Sequence, residues 1–420
     1  MTLTVPLKRL IDPVRPITYG IVQAGEDVEG GVPYIRPVDM NGHRGVNPMG
    51  LRTTSPEIAT AYARSAVQPG DVVVSIGPSF GKTMVVPQEL DGANLTQGTA
   101  RVALRSDVSA RFVVWSLQSQ YAHDYWETSI GGATFRALNL GPLANTPIRM
   151  PSSIEQVAIA DYLDREAGRV DKLIEEQQRL IDLLHERRTA VVKAAFAPDP
   201  DSDESRFGWL GPIPSEWKIM ALKYAVATPI TDGPHETPDF LDEGVPFLSA
   251  EGVSAGVIDF TRIRGHISAE DEARFATKYK PRRNDIFMVK SGSTTGTVAI
   301  VESDRDFNIW SPLAAIRVSP EIDPRYMFWF LSSPAFRQSV ELHWNFGTQQ
   351  NIGMGVLGNL PVVVPALHVQ RQIAAALDEQ TTKIDTLISE TERFISLSQE
   401  RRAALITAAV TGQIDVSEAA

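Results

Sequence analysis

The sequence contains no cysteine, and this absence removes several classes of function at once. Neither a disulfide nor a thiolate metal site can form, and the composition suits a reducing compartment, so we expect a cytoplasmic protein. The 7 histidines are scattered along the chain, and none belongs to an H-E-x-x-H pattern or to another metal-ligand spacing. The residues therefore give no support for metal catalysis.

Long apolar runs are also missing. No stretch of about 18 apolar residues could cross a bilayer, and the N-terminal residues lack the apolar centre of a signal peptide. Hydrophobic residues nevertheless make up 43% of the 420 residues, which is typical of a folded protein that is long enough for more than one core. We expect several folded domains and no membrane-spanning segment.

Positive charge is scarce overall. The formal net charge of −11 argues mildly against a free-standing nucleic-acid binder. The acidic residues are unevenly spread, however. Residues 199–205 read DPDSDES, which is typical of a solvated linker, whereas residues 262–283 carry seven basic residues against three acidic ones.

The motif that most suggests catalysis is incomplete. Residues 77–83, GPSFGKT, resemble a phosphate-binding loop, which needs G-x-x-x-x-G-K-[ST] so that backbone amides can surround the phosphates. Ile76 occupies the place of the first glycine, and the corresponding loop at 290–297 has no lysine after Gly296. No G-x-S-x-G elbow occurs either. A nucleotide hydrolase is thus a weak alternative, and we expect the chain to lack an active site of its own.

What the chain does contain is a second copy of its own pattern. Residues 185–198, HERRTAVVKAAFAP, recur at a shift of 214 positions as residues 399–412, QERRAALITAAVTG. The same shift aligns further identical residues without a gap, among them Asp71 with Asp285, Asn94 with Asn308, Pro151 with Pro365 and Gln156 with Gln370. A period of this length indicates a duplicated unit of one body and one helix, because solenoid repeats are much shorter.

The duplication predicts the domain order. We expect a first body over 1–150, a long helix over 151–198, an acidic linker over 199–210, a second body over 211–364 and a second long helix over 365–413. Short apolar runs bounded by glycine and proline predict strands within the bodies, at 71–76, 285–290, 146–151 and 360–365. Residues 109–126 and 324–344 are more helical. The predicted fold class is α+β or mixed α/β, with two α/β bodies separated by two long antiparallel coiled-coil helices and an internal pseudo-two-fold repeat.

The helical segments carry apolar residues at coiled-coil spacing. The a and d positions of the first are Leu163, Val170, Leu173, Gln177, Leu180, Leu184, Val191 and Ala194, and those of the second are Leu377, Ile384, Leu387, Thr391, Phe394, Ser398, Leu405 and Ala408. Isoleucines at the e positions widen both stripes beyond a two-stranded seam. Helices that only cap their own bodies are an alternative. About 30 helical residues would span about 45 Å, which is longer than one small domain needs, so we favour helices that pack together and leave apolar surface for a further helical partner.

Residues 151–174, PSSIEQVAIADYLDREAGRVDKLI, followed by ERRTAVVKAAF, resemble the conserved helical regions of type I restriction–modification specificity (S) subunits. Residues 365–388, followed by ERRAALITAAVTG, do so as well. In the second half, GPIPSEWKIMALK (211–223), TDGPHETP (231–238) and GTQQNIG (347–353) are similar to the beginning and end of that family's target recognition domain. The first body starts without the Gly-x-x-Pro-x-x-Trp preface of that domain.

This resemblance implies a non-catalytic DNA reader in which each body recognises one half of a split site on double-stranded DNA. It also implies that the helices set the spacing of the half-sites and bind two modification subunits, with two restriction (motor-nuclease) subunits completing the complex. S-adenosylmethionine would serve the modification subunits, which methylate a flipped adenine, and ATP with Mg²⁺ would serve the restriction subunits. No cofactor is expected on this chain. A coiled-coil scaffold without sequence-specific DNA binding is the alternative function.

Side chains on loops that reach the major groove would read the sequence. In the second body the candidates are Thr231, Asp232, His235, Lys290, Ser291, Ser293, Thr294, Thr295, Gln349, Gln350 and Asn351. In the first body they are Ser79, Lys82, Thr83, Thr134, Phe135 and Arg136, with Arg36, His43 and Arg44 nearby. Lys82, Lys290 and Arg136 are better suited to phosphates than to bases. For each residue an ordinary role in a tight turn is the alternative.

The helices match closely across the shift of 214, but the proposed contact loops differ, which predicts two different half-sites. Replacing residues 231–364 by the second body of another member of the family should therefore change only one half of the methylated motif. Methylation mapping in cells that carry the chimera checks this. A change in both halves, or in neither, would contradict independent reading.

Overall fold

A computed structural model describes residues 3–41, 45–47, 50–130, 136–196, 209–210, 213–254, 256–346 and 350–416. The chain divides into two compact units. The first unit comprises Met1–Arg179 with Thr391–Ala420, and the second comprises Leu180–Glu390. Each unit therefore contains one body together with a part of each long helix. Within the described residues, no helix is long and apolar enough to span a membrane.

The first body is a mixed α/β structure. Its helices are α1 (Pro56–Ala61), α2 (Ala110–Gln118), α3 (Gln120–Ile130) and α4 (Leu140–Asn145). Its strands are β1 (Leu3–Pro6), β2 (Thr18–Tyr19), β3 (Val32–Ile35), β4 (Thr53–Thr54), β5 (Val72–Ser75), β6 (Thr83–Val85), β7 (Asn94–Leu95), β8 (Thr99–Val102) and β9 (Pro147–Met150). An antiparallel sheet has the strand order β2-β8-β5-β6, and a smaller sheet has the order β4-β3-β7.

The second body, which follows the long helix α5 (Ser153–Ala195), repeats this plan. Its strands are β10 (Lys218–Ala221), β11 (Thr231–Asp232), β12 (Val245–Leu248), β13 (Val253–Ser254), β14 (Val257–Ile258), β15 (Gly265–Ile267), β16 (Ile286–Val289), β17 (Val298–Ile300), β18 (Asn308–Ile309), β19 (Leu313–Ile316), β20 (Asn345–Phe346), β21 (Gln350–Asn351) and β22 (Pro361–Val364). Its helices are α6 (Ala269–Ala276), α7 (Pro324–Leu331), α8 (Pro334–His343) and α9 (Met354–Asn359), and the long helix α10 (Leu367–Thr411) follows it. The sheets β11-β19-β16-β17 and β15-β12-β18 match those of the first body, so the duplication seen in the sequence is a duplication of the fold.

The central strands β16 and β19 of the second body are apolar along their whole length because both of their faces are covered. In β16, Ile286 and Met288 contribute to one apolar cluster of the second body, while Phe287 and Val289 contribute to another. Successive side chains of a strand point to opposite faces, so a strand that is buried on both faces has no polar alternation. The strands predicted from these runs are confirmed.

Each long helix contributes to both units. In the first unit, Leu163 near the start of α5 and Ile406 near the end of α10 belong to the same apolar cluster as the first body. In the second unit, Val192 near the end of α5 and Leu377 near the start of α10 belong to a cluster of the second body. Within each unit the two helical segments are therefore antiparallel. The interpretation that each helix only caps its own body is wrong, because each also completes the core of the other body.

The buried stripe of the helices differs in part from the predicted one. Leu180 and Phe394, which were predicted at d positions, are 40% and 43% exposed, while the neighbouring Ile181 is buried. The reason is that each helix packs against a body as well as a helix, and this turns the buried face away from an ideal two-stranded seam. Leu183 and Leu397, at matching positions of the two copies, are also more than half exposed.

An arginine cluster joins the first body to both helices. The indole Nε1 of Trp115 in α2 donates to Asp164 Oδ1 of α5 at 2.7 Å. The Arg402 guanidinium of α10 lies over the same indole, 5.7 Å from the ring centroid, and forms an ion pair with Asp171 of α5 (Nε–Oδ1 2.7 Å). One cation of the second helix is thus held between a body and the first helix. We call these four residues the Arg402 cluster.

The second unit contains the matching Arg188 cluster. Trp329 Nε1 donates to Asp378 Oδ1 at 2.8 Å, and the Arg188 guanidinium lies 5.8 Å from the Trp329 ring centroid. Arg188 also donates from Nε to Asp385 Oδ1 at 3.0 Å. Every member of this cluster is 214 positions from a member of the Arg402 cluster. The second arginine of each repeated Arg-Arg pair and the repeated aspartates of the helical segments therefore have a structural role.

A buried glutamine anchors the start of each long helix. Gln156 Oε1 accepts from the backbone N–H of Ser109, the N-cap residue of α2, at 2.9 Å, and Gln156 Nε2 donates to the carbonyl of Pro151 at 3.1 Å. Gln370 makes the same pair of contacts in the second unit. This amide satisfies two backbone groups that would otherwise be buried without partners, which explains why the duplicated glutamine is retained.

The chain turns back onto the first body after α10. Gly412 has a φ of 76°, the left-handed conformation that ends a helix with little strain in glycine. Ile414 and Val416 then pack against the apolar cluster of the first body. The last described residues of the chain therefore belong to the core that the first residues begin.

The second body is stabilised by a buried carboxylate. Asp285 is 1% exposed. It accepts hydrogen bonds from Arg317 Nε and Nη2 at 2.7 and 2.6 Å, from the Tyr279 hydroxyl at 2.5 Å and from the backbone N–H of Arg282 at 2.8 Å. Burial, and then the nearby carboxylate, raise the pKa of Tyr279 far above its usual range, so the phenol remains a donor. Asp71 of the first body is held by Arg15 in a similar way.

We expect the substitution Asp285→Asn to lower the free energy of unfolding by about 3 kcal/mol, because it leaves the partly buried Arg317 without its opposite charge. Urea unfolding of the full chain, followed by tryptophan fluorescence, measures the loss. The control is Asp304→Asn, which removes an ion pair with Arg283 between two exposed side chains and should cost less than about 1 kcal/mol. Equal losses in the two variants would contradict a stabilising role for the buried pair.

Candidate nucleic-acid interface

Several of the segments predicted to contact DNA meet at one edge of the second body. The loop that follows β16 lies beside β21, where the backbone N–H of Gly292 donates to the carbonyl of Gln350 at 3.0 Å and that of Ile352 donates to the carbonyl of Lys290 at 2.9 Å. Ser291 and Asn351 form an antiparallel bridge between the two segments. Residues 290–297 and 350–351 thus form one surface, although they are far apart in the sequence.

The segment that contains Thr231 and Asp232 approaches the same edge closely. It forms β11, which pairs with β19. Gly233 follows, and a Cβ atom on it would lie 2.0 Å from the Ile309 carbonyl oxygen. Only glycine allows this approach, which places the segment beside Trp310. The Trp310 indole Nε1 donates to the Glu236 carbonyl at 3.1 Å and holds the following turn in place.

Asp232 lies at the centre of a charged cluster. Its Oδ1 accepts from Lys278 Nζ at 2.6 Å, and its Oδ2 lies 3.0 Å from Lys290 Nζ and 3.1 Å from His235 Nε2. The carboxylate is almost buried, whereas His235 is exposed. Burial acts to raise the pKa of Asp232, but the hydrogen bonds from the two ammonium groups outweigh it and hold the pKa below its usual range. We call Asp232, His235, Lys278 and Lys290 the Asp232 cluster.

Lys278 was not among the residues predicted from the sequence. It follows α6 and lies in the basic segment 262–283, so the local excess of positive charge is the signal that could have found it. Its ammonium group also donates to the Gly233 carbonyl at 3.0 Å. In the same segment, the guanidinium of Arg264 lies 5.5 Å from the Trp310 ring centroid. Lys278 and Arg264 of this segment are therefore part of the same surface.

The predicted residues of the second body fall into two groups. His235, Ser293, Thr294 and Asn351 are exposed, and Thr231, Lys290, Ser291 and Gln350 are partly exposed. Asp232 and Thr295 are buried, and the prediction that they contact DNA directly is wrong in this structure. All of Asp232's nearby cations are in its own body, and the Thr295 hydroxyl donates to the Gly292 and Gln350 carbonyls. Gln349 lies outside the described residues.

In the first body, residues 77–83 form the turn of a hairpin between β5 and β6. The Ser75 hydroxyl donates to the Ser79 carbonyl at 2.9 Å and accepts from the backbone N–H of Lys82 at 2.9 Å. Thr83 pairs with Val74 and is 0% exposed, so it cannot contact DNA, and that prediction is wrong. A phosphate-binding loop leads into a helix, whereas this loop leads into a strand.

Three of the remaining candidates of the first body contact neighbouring groups. Lys82 Nζ donates to the carbonyls of Pro37 and Met40 at 3.1 and 3.2 Å. Arg36 forms an ion pair with Asp39 at 2.7 Å, and the exposed Arg136 pairs with Glu127. Ser79 is exposed. His43, Arg44, Thr134 and Phe135 lie outside the described residues.

A cavity of about 910 Å³ in the first unit separates this hairpin turn from the long helices. Lys82 and His123 line it on the side of the body, and Asp171, Glu175 and Arg402 line it on the side of the helices. Burial lowers the pKa of His123, against the raising effect of Glu127 and Asp124. Among the described residues, no three His, Asp or Glu side chains come together as metal ligands would.

Two similar α/β bodies, each completed by both long helices, define a class of internally duplicated protein. The family model of the type I restriction modification DNA specificity domain matches residues 22–183 and 227–393. These two matches cover most of the chain. The chain therefore belongs to the type I restriction–modification DNA specificity family and contains its domain twice.

Curated relatives and solved structures agree with this assignment. The chain is 26% identical over 192 residues to the type I restriction enzyme EcoBI specificity subunit of Escherichia coli, covering 45% of this chain and 40% of the relative. It is 23% identical over 279 residues to the MjaVIII specificity subunit of Methanocaldococcus jannaschii, covering 65% and 63%. The chain thus matches less than two thirds of the length of either relative.

Two solved structures share the fold. A chain from a study of complex assembly and conformational transition of the type I R-M system superposes with a TM-score of 0.74 at 18% identity, over 97% of both chains. The HsdS subunit from Thermoanaerobacter tengcongensis superposes with a TM-score of 0.54 at 17% identity, over 98% of this chain and 97% of the other. At these identities the likeness concerns the fold.

Proposed function

We propose that this chain is the DNA-recognition subunit of a type I restriction–modification complex, in which each body reads one half of a bipartite site on double-stranded DNA. The observation that carries this proposal is the duplicated specificity domain with different loops at matching edges. In the second body, Lys290 and His235 offer hydrogen-bond donors there, and Gln350 and Asn351 offer side-chain amides. Such groups can distinguish base edges in the major groove.

The long helices supply the second part of the function. Leu183 and Leu397 are 52% and 54% exposed at matching positions of the two copies, and Leu180 and Phe394 are exposed in the same way. Apolar side chains at matching places on α5 and α10 suit two identical partners. We assign them as contacts for two modification subunits, with two restriction subunits completing the complex in the cytoplasm.

The chemistry in this proposal belongs to the partners. The modification subunits use S-adenosylmethionine and the restriction subunits use ATP with Mg²⁺, whereas this chain binds no cofactor and catalyses no step. Its own net charge of −11 opposes DNA binding. Basic surface on the partners would then provide much of the attraction to the phosphates, while this chain supplies the contacts to the bases.

Co-expression with the cognate modification subunit tests the proposal. We expect N6-methyladenine at a single split motif, and a soluble assembly of one chain with two modification subunits in sizing experiments. A strain with the modification subunit alone is the control. A soluble assembly that leaves no sequence-specific methylation would favour the scaffold function instead.

If the helices fix the spacing of the half-sites, lengthening both should lengthen the spacer. The interval between Asp171 and Arg188 in α5 equals that between Asp385 and Arg402 in α10. Inserting one heptad after Gln178 and one after its equivalent, Glu392, therefore lengthens both intervals equally. Each heptad adds about 10 Å, which corresponds to about three base pairs at about 3.4 Å each, and it nearly preserves the apolar face.

Methylation mapping should find sites whose spacer is longer by about one to three pairs, with both half-site sequences retained, because DNA bending can absorb part of the increment. Insertion into α5 alone is the matched control. It lengthens only one of the two intervals, so we expect it to lower the melting temperature and the methylation. An unchanged spacer in the double insertion would leave the helices as contact surfaces only.

A further inference from the structure

Both oxygens of the Asp232 carboxylate are engaged by side chains of its own body. Lys278 takes Oδ1, and Lys290 and His235 lie within hydrogen-bonding distance of Oδ2. A carboxylate can read DNA only by accepting hydrogen bonds, as from the amino group of cytosine. With its side chain 9% exposed and its oxygens already engaged, Asp232 has another role.

Lys290 is held rigidly beside this carboxylate. Its backbone is fixed at the edge of the sheet, since its N–H donates to the Pro312 carbonyl at 2.8 Å and its carbonyl accepts from Ile352. Its side chain is only 12% exposed, so it lacks the freedom of a surface lysine. An ammonium group has three donors. The bond to Asp232 sets the direction in which the others point.

The charge of the cluster selects the kind of ligand. Two lysines and one aspartate leave one positive charge even when His235 is neutral. The N–H donors beside Asp232 that do not bond to it are suited to a ligand with hydrogen-bond acceptors. DNA offers such acceptors as guanine O6 and N7 and as phosphate oxygens. We propose that Asp232 is a positioning residue, which holds Lys290 so that its ammonium group donates to acceptor atoms of the second half-site.

The residues that the structure describes in the first body do not repeat this cluster. Strand β2 pairs with β8 as β11 pairs with β19, and the residue in the place of Asp232 is Tyr19. The position that follows β5, equivalent to Lys290, is the buried Ile76, and Val22 occupies the place of His235. Loss of Asp232 should therefore affect one half-site only. This inference rests on the proposed function, because it assigns a residue within one of its two reading surfaces.

The test uses the complex of this chain with its modification subunit and labelled duplexes that carry the mapped motif. We expect Asp232→Asn to weaken binding by about tenfold or more, on the scale of one specific contact, while dependence on the first half-site is unchanged. Lys290→Gln should weaken binding to the same extent. If Asp232→Asn does not fold, Lys290→Gln tests whether this ammonium group contacts the second half-site.

Base discrimination and salt dependence distinguish a base acceptor from a phosphate acceptor. If Lys290 donates to a base, both variants lose discrimination at one base pair of the second half-site. If it donates to a phosphate, affinity falls equally for all sequences and the slope of log K against log salt falls by about one. Either result supports positioning by Asp232.

The matched control is Glu272→Gln, which neutralises another buried carboxylate of the second body that holds a lysine, Lys280. We expect it to lower the melting temperature as well, but to keep affinity and half-site discrimination. Asp232→Glu keeps the charge and should restore part of the affinity lost in Asp232→Asn. The inference is overturned if folded Asp232→Asn binds and discriminates as the wild type does, or if both half-sites relax equally. A wild-type complex with no sequence preference would instead overturn the proposed function.

Discussion

The contact on which the rest of this structure depends is the arginine of one long helix held over the tryptophan of a body. Arg402 and Arg188 each lie over an indole and pair with a carboxylate of the other helix. Apolar stripes alone can slide by one turn with little loss, whereas a partly buried cation has only one position in which its charge is matched. A cation–π contact contributes about 0.5–2 kcal/mol. Its directional geometry matters more for the position of the helices than this energy does. It fixes the register of two helices and one body at a single point in each unit.

The two halves of the chain are alike in their buried contacts and differ in their exposed loops. Gln156 and Gln370, the tryptophans and the arginines repeat at one interval and make the same contacts. The edges of the bodies differ in charge, length and hydrogen bonding. Packing constraints explain the contrast, because a buried polar group without its partner is costly, while an exposed loop residue is nearly free to vary. A duplicated chain can thus keep one architecture and carry two recognition surfaces.

The sequence predicted the fold well where local pattern decides it. The long helices follow from their apolar periodicity, the central strands follow from uninterrupted apolar runs, and the repeat located both bodies. The predicted seam was wrong at Leu180 and Phe394, because the packing of a helix between a helix and a body is a tertiary effect that a heptad pattern does not contain.

The candidate interface was predicted less completely. Several of the predicted loops meet at one edge of the second body, but burial of Thr83 and Thr295 depends on strand pairing and on turn hydrogen bonds that no local pattern specifies. Lys278 reaches Asp232 from a distant part of the chain. Composition indicated a basic segment there, and only the fold shows which of its cations is brought to the carboxylate.

The sharing of helices also fixes the order in which the protein can be completed during synthesis. The second unit, Leu180–Glu390, is one continuous stretch, so all of its residues are available as soon as Glu390 has left the ribosome. The first unit is begun earlier but needs Ile406, Ala409 and Val410 to fill its core, and these residues are translated only after the whole second unit. Domains usually fold in the order of their synthesis. Here the body that is translated first must wait, with part of its core open, until the second unit has been made.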